Sequence, residues 1–321
     1  MKIAGFIGGL LGLTLLMALV LRADLPAMLQ TLASAGWPLL GLVPYRGLYF
    51  LLYAIGWLAM LRPYDPERRA GLGYVFWVTS VREAIDRLLP VASVGGGVAG
   101  VRLMRWRGLG TAGVSATVIV EIVLTLIVSY AFTALGLLLL IELHATGAQT
   151  HRIGLAFVLS LPAPVLVVLL LRYGSVFQRI QNFLRPLVGA GSLSEGAASL
   201  DSELQACLAR WRSLLFAGTL QFSALIAGSL EIWFALRLFG HPVSVATALI
   251  LESMTQTMRH LAFVVPAGLG VQEATLVLFG HALGISSELA LAVSMAKRVR
   301  EVLCGLPSLL SWQWMEGRRL T

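Results

Sequence analysis

Charge is scarce in this chain, lysine is almost missing, and cysteine nearly so. Only 12% of the 321 residues are charged against 58% that are hydrophobic, and mean hydropathy is +0.84. Soluble domains carry about 25% charged residues, so a water-soluble globule is excluded. Two cysteines, Cys207 and Cys304, supply neither a disulfide framework nor a thiolate metal spacing, and read as small inert thiols. The histidines His144, His151, His241, His260 and His281 form no His-Glu-x-x-His pattern, so no metal site is expected. A phosphate-binding P-loop and a catalytic serine elbow are both missing, which argues against ATP-driven pumping and serine hydrolysis. Gly108, Gly110 and Gly113 match a dinucleotide fingerprint in spacing only. No strand pattern precedes them and an apolar run follows, so no cofactor is expected.

What the chain does have is long apolar runs. Continuous candidates for membrane spans of about 20 residues cover residues 3–21, 39–61, 114–141, 153–171, 214–236 and 289–310. The first is longer than the apolar part of a signal peptide. It is followed by Arg22 and Asp24 where small cleavage-site residues would be required, so it reads as a span. Arginines gather beside these runs: Arg62, Arg68 and Arg69; Arg102, Arg105 and Arg107; Arg172, Arg179, Arg185, Arg210 and Arg212; Arg318 and Arg319. Cytoplasmic loops attract such clusters, and nucleic-acid binding is not needed to explain the formal charge of +8. Tryptophans near the run ends suit the membrane interface. Placing the clusters inside puts both termini in the cytoplasm and makes residues 172–213 a cytoplasmic, amphipathic loop. Gly5, Gly8, Gly9 and Gly12 suit close helix packing in the first span.

Two further apolar stretches, residues 72–101 and 245–283, are interrupted. One reads Leu-Leu-Pro-Val-Ala-Ser-Val-Gly-Gly-Gly over residues 88–97, with Pro90, Gly95, Gly96 and Gly97. The other reads Val-Val-Pro-Ala-Gly-Leu-Gly-Val-Gln-Glu over residues 264–273, with Pro266, Gly268, Gly270 and Glu273. Proline removes a backbone donor and glycine frees the chain, so each break exposes polar backbone that lipid does not tolerate. Charge placement makes the two elements enter from opposite faces, as in an inverted repeat with a midplane site. The expected architecture is a single all-α, polytopic membrane domain over residues 1–321, with about six full spans and two re-entrant elements. Charges at membrane depth mark the candidate site: Glu252 and Arg259 before the second break, Glu273 after it, and Lys297, Arg298, Arg300 and Glu301 in the final run. Arg82, Glu83, Asp86 and Arg87 precede the first break, and Glu121 and Glu231 lie within spans. Helix pairing and headgroup binding both account for such charges.

Around these breaks the chain resembles the flippase-like membrane region of lysylphosphatidylglycerol synthases. The resemblance rests on Leu89-Pro90 with Gly95-Gly96, and on the Pro266 to Glu273 motif. The tail from Ala296 to Pro307, with Trp312-Gln313 beyond it, is similar to the hopanoid-biosynthesis-associated branch of that family, HpnL. The resemblance implies a helical domain with re-entrant elements that moves lipid between leaflets of a bacterial inner membrane. The implied ligand is a hopanoid or an anionic lipid, and lipid-biosynthesis enzymes are implied partners. The family often places an acid where this chain has Gly97. No lysyl-transferring domain lies within the 321 residues, and aminoacyl transfer is not expected of them. The sequence leaves two other readings open, a membrane scaffold for lipid-synthesis enzymes and an integral-membrane enzyme that modifies headgroups.

Overall fold

The computed structural model describes residues 36–89, 95–144, 158, 161–173, 193–262, 265 and 268–320. The expected span at 3–21 with its four glycines, and the punctuating Pro90 and Pro266, lie outside the described residues. Among the described residues the chain is all-helical, with ten α-helices and no strand.

A short 3-10 turn over Trp37–Gly41, opened by Pro38, leads into α1 (Leu42–Leu61). Helix α2 (Leu72–Leu88) stops at Leu89, whose backbone is extended, as sterics demand of a residue preceding proline. Helix α3 (Gly95–Arg105) resumes after the break, and α4 (Thr111–His144) follows it. Helices α5 (Pro162–Tyr173) and α6 (Leu193–Ala209) stand between the two halves of the chain. The second half begins with α7 (Trp211–Leu238). Helix α8 (Val245–Leu261) is capped by Ser244, whose side chain accepts from the Thr247 amide at 3.0 Å. Gly270, at φ 76°, turns the chain into α9 (Val271–Ala282), and α10 (Ser287–Leu320) completes the set. Positive φ at Gly268 and Gly270 is the reason for glycine there.

The second half repeats the first. Helices α2 and α8 both have 17 residues, α3 and α9 have 11 and 12, and α4 and α10 both have 34. The packing repeats too: α1 against α2, α2 against α3 and α3 against α4 are matched by α7 against α8, α8 against α9 and α9 against α10. Across the halves α1 packs on α7, α2 on α10, and α8 on α4. Each half has its own apolar core, one around Trp57, Val78, Leu103 and Val120, the other around Ile232, Ile250, Met254 and Leu276. The short helices of the interrupted elements rise ~26 Å at most, at 1.5 Å per residue, against a hydrocarbon core of ~30 Å.

Among the described residues, three segments are long and apolar enough to cross a bilayer: Trp37–Tyr64, Thr111–Leu143 and Trp211–Leu238. They coincide with the expected spans at 39–61, 114–141 and 214–236. The described part of 153–171 forms α5, which is too short to be counted with them. The span expected at 289–310 falls inside α10, whose Lys297, Arg300 and Glu301 are buried while Val299, Val302, Leu306 and Leu310 are exposed. This is a soluble helix turned inside out, and averaging over both faces lowers its apparent hydropathy.

The long helices approach their cross-half partners through glycine. A Cβ at Gly136 of α4 would strike the Ser253 side chain of α8, and one at Gly305 of α10 would lie 2.5 Å from Leu88 Cδ1 of α2. Gly136→Val and Gly305→Val are each expected to destabilise by about 1–3 kcal/mol, the usual cost of overpacking. The readout is the thermal unfolding midpoint of the purified protein; midpoints equal to the parent's would show that these contacts are not close.

Helix α6 covers the first core with Leu204 and Cys207. Burial pushes the Cys207 thiol up to about 11, with Glu203 adding to the shift and Arg210 opposing it. The thiolate is the reactive form. Maleimide labelling of Cys207 at pH 8 is therefore expected to be slow in the folded protein, to quicken as pH approaches 11, and to be fast after denaturation. Equal labelling of folded and unfolded protein at pH 8 would refute this placement.

Candidate functional site

A cavity of about 390 Å³ lies where the two interrupted elements meet. Helix α2 contributes Thr79, Arg82, Glu83, Asp86 and Arg87; α8 contributes Gln256, Arg259 and His260. Counted from the first residue of each helix, Glu83, Asp86 and Arg87 hold the same positions as Gln256, Arg259 and His260. That spacing places each trio on one helical face, and the two equivalent faces confront one another across the cavity. Val265 and Gly268 from the second break complete that wall. Helix α4 supplies Glu121, Ile122, Thr125, Leu126 and Ser129 from a single face, α1 supplies Tyr49 and Tyr53, and α7 supplies Leu225.

Glycine allows α3 to lie against α2. A Cβ at Gly96 would run into the Asp86 carboxylate, and one at Gly100 would sit 2.8 Å from Arg82 Cδ. Asp86 Oδ1 accepts from the Gly96 amide at 2.9 Å, satisfying a donor in the first turn of α3. Arg82 ion-pairs with Glu121 at 2.7 Å and lies over the Trp57 ring, 4.4 Å from its centroid. Tyr49 and Tyr53 are stacked with ring centroids 4.7 Å apart. Several buried atoms of the lining residues have no hydrogen-bond partner: Thr79 Oγ1, Ser129 Oγ, Nε and Nη1 of Arg82, and Glu121 Oε2 outside its ion pair. Buried polar atoms are rarely left unsatisfied, and five on the residues of one chamber set it apart from an ordinary apolar core.

Beside the cavity runs a continuous buried network. Glu301 of α10 lies 3.3 Å from Arg298, 3.5 Å from Arg259, 3.6 Å from Arg300 and 4.0 Å from Arg87. Arg87 also pairs with Glu83 at 2.9 Å, and Glu83 with Arg46 of α1 at the same distance. Arg300 grips Glu231 of α7, and Arg298 donates through Nε to Glu273 of α9 at 3.1 Å. Six helices are thereby joined by charge.

The structure sorts the sequence-selected residues into three groups. Arg259 and Gly268 line the cavity, and Gly96 holds the Asp86 that lines it. Glu273, Lys297, Arg298, Arg300 and Glu301 lie behind it. Glu273 is fully buried and accepts from Ser294 Oγ at 3.0 Å, so it ties α9 to α10. Lys297 is spent on Glu252 at 2.5 Å, and Glu252 also accepts from Gln256 at 2.8 Å. Arg298 donates to the Gly268 carbonyl at 3.1 Å, holding the second break. Gly270 opens α9 and Gly95 opens α3, while a Cβ at Gly97 would press on Val118 at 3.2 Å. Pro90 and Pro266 lie outside the described residues. Sequence reasoning left Tyr49, Tyr53, Thr79, Ser129 and Gln256 unselected, and treated Arg82, Asp86 and Glu121 only as membrane-depth charges. Position within an interrupted helix would have found Thr79 and Gln256. Among the described residues, no group of three His, Cys, Asp or Glu side chains is placed to hold a metal ion.

Apolar helices, outward-facing aliphatic side chains and a charged inner chamber define an all-helical membrane protein. The chain belongs to the lysylphosphatidylglycerol synthase TM region family, which it matches over residues 5–307. That membership makes it a membrane protein of lipid metabolism. No curated protein and no solved structure matches it.

Removing one partner of a buried pair leaves an uncompensated charge, at a cost of about 3–5 kcal/mol. Glu301→Gln, which leaves four guanidiniums facing a neutral amide, is expected to lower the unfolding midpoint sharply and to reduce folded yield. A midpoint matching the parent's would remove Glu301 from the centre of the network.

Proposed function

We propose that this protein is a lipid translocase of the bacterial inner membrane, with both termini cytoplasmic, acting on a hopanoid or a related lipid. The carrying observation is the cavity itself, a polar chamber between the facing tips of α2 and α8. A headgroup crossing a bilayer needs a polar shelter at depth while its apolar body stays in lipid. Ile122 and Leu126 give the chamber an apolar margin on α4, and Ile122 is 53% exposed, which suits a lipid body emerging sideways. The repeated packing of the two halves supports alternating access, in which one half rocks against the other around a fixed site. The hopanoid assignment rests on the likeness of the tail from Ala296 to Pro307 to one branch of the family.

In this mechanism Arg82, Thr79 and Ser129 hold the headgroup, Arg259 faces them from the second half, and the Glu301 network keeps the two interrupted elements in register. Glu273 and Arg298 support the second break rather than touching lipid.

The test is lipid exchange in vesicles containing the purified protein, followed by dithionite quenching of a fluorescent lipid in the outer leaflet. The double variant Arg82→Gln/Glu121→Gln removes both members of a pair, so no lone buried charge remains. It is expected to fold and to slow exchange about tenfold or more, equivalent to ~1.4 kcal/mol. Exchange at the parent rate in that variant, or no exchange by the parent, would overturn the translocase. Native mass spectrometry of protein taken from its own membrane tests the hopanoid: a co-purifying hopanoid supports it, and bulk phospholipid alone refutes it.

A further inference from the structure

The cavity has a charge pattern that selects among headgroups. Its walls carry three arginines, Arg82, Arg87 and Arg259, and three carboxylates, Glu83, Asp86 and Glu121. A chamber so balanced gains nothing from a guest with net charge of either sign, because such a guest would leave one charge unmatched in a low dielectric. The balance is also spatially divided. Asp86 and Arg259 occupy the same position in α2 and α8, so the repeat puts an anion on the α2 wall and a cation at the equivalent place on the α8 wall.

The two walls differ in what they have left to give. Arg82 and Glu121 are paired, as are Arg87 and Glu83. Asp86 is held by the Gly96 amide through one oxygen and forms no ion pair among the described residues. The same lining holds the stacked Tyr49 and Tyr53, with the Arg46 guanidinium already over the Tyr49 ring, and a carboxylate with an aromatic ring is the combination that accepts an ammonium group. The unpartnered atoms of Arg82 and Thr79 are a guanidinium edge and a hydroxyl, which suit a phosphate oxygen. Thr79 is 8% exposed and Ser129 5%, and both belong to the cavity lining.

We infer that the cavity takes a zwitterionic headgroup, its ammonium directed to Asp86 and the tyrosine pair, and its phosphate to Arg82, Thr79 and Arg259. This rests on the reading of the cavity as a headgroup chamber and stands apart from the hopanoid assignment, because a hopanoid without phosphate would leave Arg82, Thr79 and Arg259 without their anion. A singly anionic headgroup would bring phosphate without the cation that Asp86 lacks.

The experiment measures binding of short-chain phosphatidylethanolamine, phosphatidylglycerol and diacylglycerol to the full chain in detergent. A charge-assisted hydrogen bond of about 1.5–3 kcal/mol predicts at least about tenfold tighter binding of phosphatidylethanolamine than of phosphatidylglycerol. Asp86→Asn is expected to abolish that preference by weakening phosphatidylethanolamine alone, and Thr79→Val to weaken both phospholipids. Phosphatidylglycerol bound as tightly as phosphatidylethanolamine by the parent protein, or both bound no better than diacylglycerol, overturns the inference without need of any variant. The two proposals fail separately. Lipid exchange without headgroup preference leaves the translocase and removes the zwitterion; preference without exchange does the reverse.

Discussion

Glu301 carries one negative charge among four guanidiniums in a region shielded from water, and the arrangement of the interrupted helices follows from it. Arg87 comes from α2, Arg259 from α8, and Arg298 and Arg300 from α10 itself. Without a shared carboxylate these side chains would repel one another, and each would face the desolvation cost of a lone buried ion. With it, the tips of α2 and α8 are held close enough to enclose a chamber. The close approaches at Gly136 and Gly305 and the apolar contacts of Leu137 and Leu140 with the second half add to this. Directional charge pairs are what fix the register.

The backbone repeat is much closer than the side-chain repeat. Counted along α4 and α10, Val118 corresponds to Ser294, Glu121 to Lys297 and Ile122 to Arg298. Counted along α3 and α9, Gly97 corresponds to Glu273. In the second half Glu273, Ser294 and Arg298 bond to one another and fill their space. The first half has glycine, valine and isoleucine at those places, and Ile122 lines the cavity instead. At Gly97 the first half has no side chain, and Val118 packs close to that position.

Much of this was legible before any coordinates. The breaks could be read because proline and glycine have fixed backbone consequences, and Leu89 is extended as its neighbour Pro90 requires. Three spans followed from apolar run length alone. Charges such as Arg300 and Glu301 were recognisable as costly at depth, but their partners were not. Glu231 stands 69 residues from the Arg300 it binds, and no local pattern encodes that distance. Glu273 stands out through its motif; Ser294 and Arg298 hold its Oε1, while Oε2 is buried with no hydrogen-bond partner. Thr79 and Ser129 carry no local signature, since a hydroxyl in a helix usually bonds its own backbone; in the folded chain theirs have no partner.

The position of Glu301 along the chain bears on how the molecule is made. It belongs to α10, which follows in chain order the helices that carry Arg87 and Arg259. Until α10 arrives, those guanidiniums lack their common counter-charge and are held best in water or at the headgroup level, where arginine is tolerated. Closure of the chamber thus waits on α10. The same helix that completes the charge balance locks the halves together, so a chain that stops short of α10 lacks what seals the core.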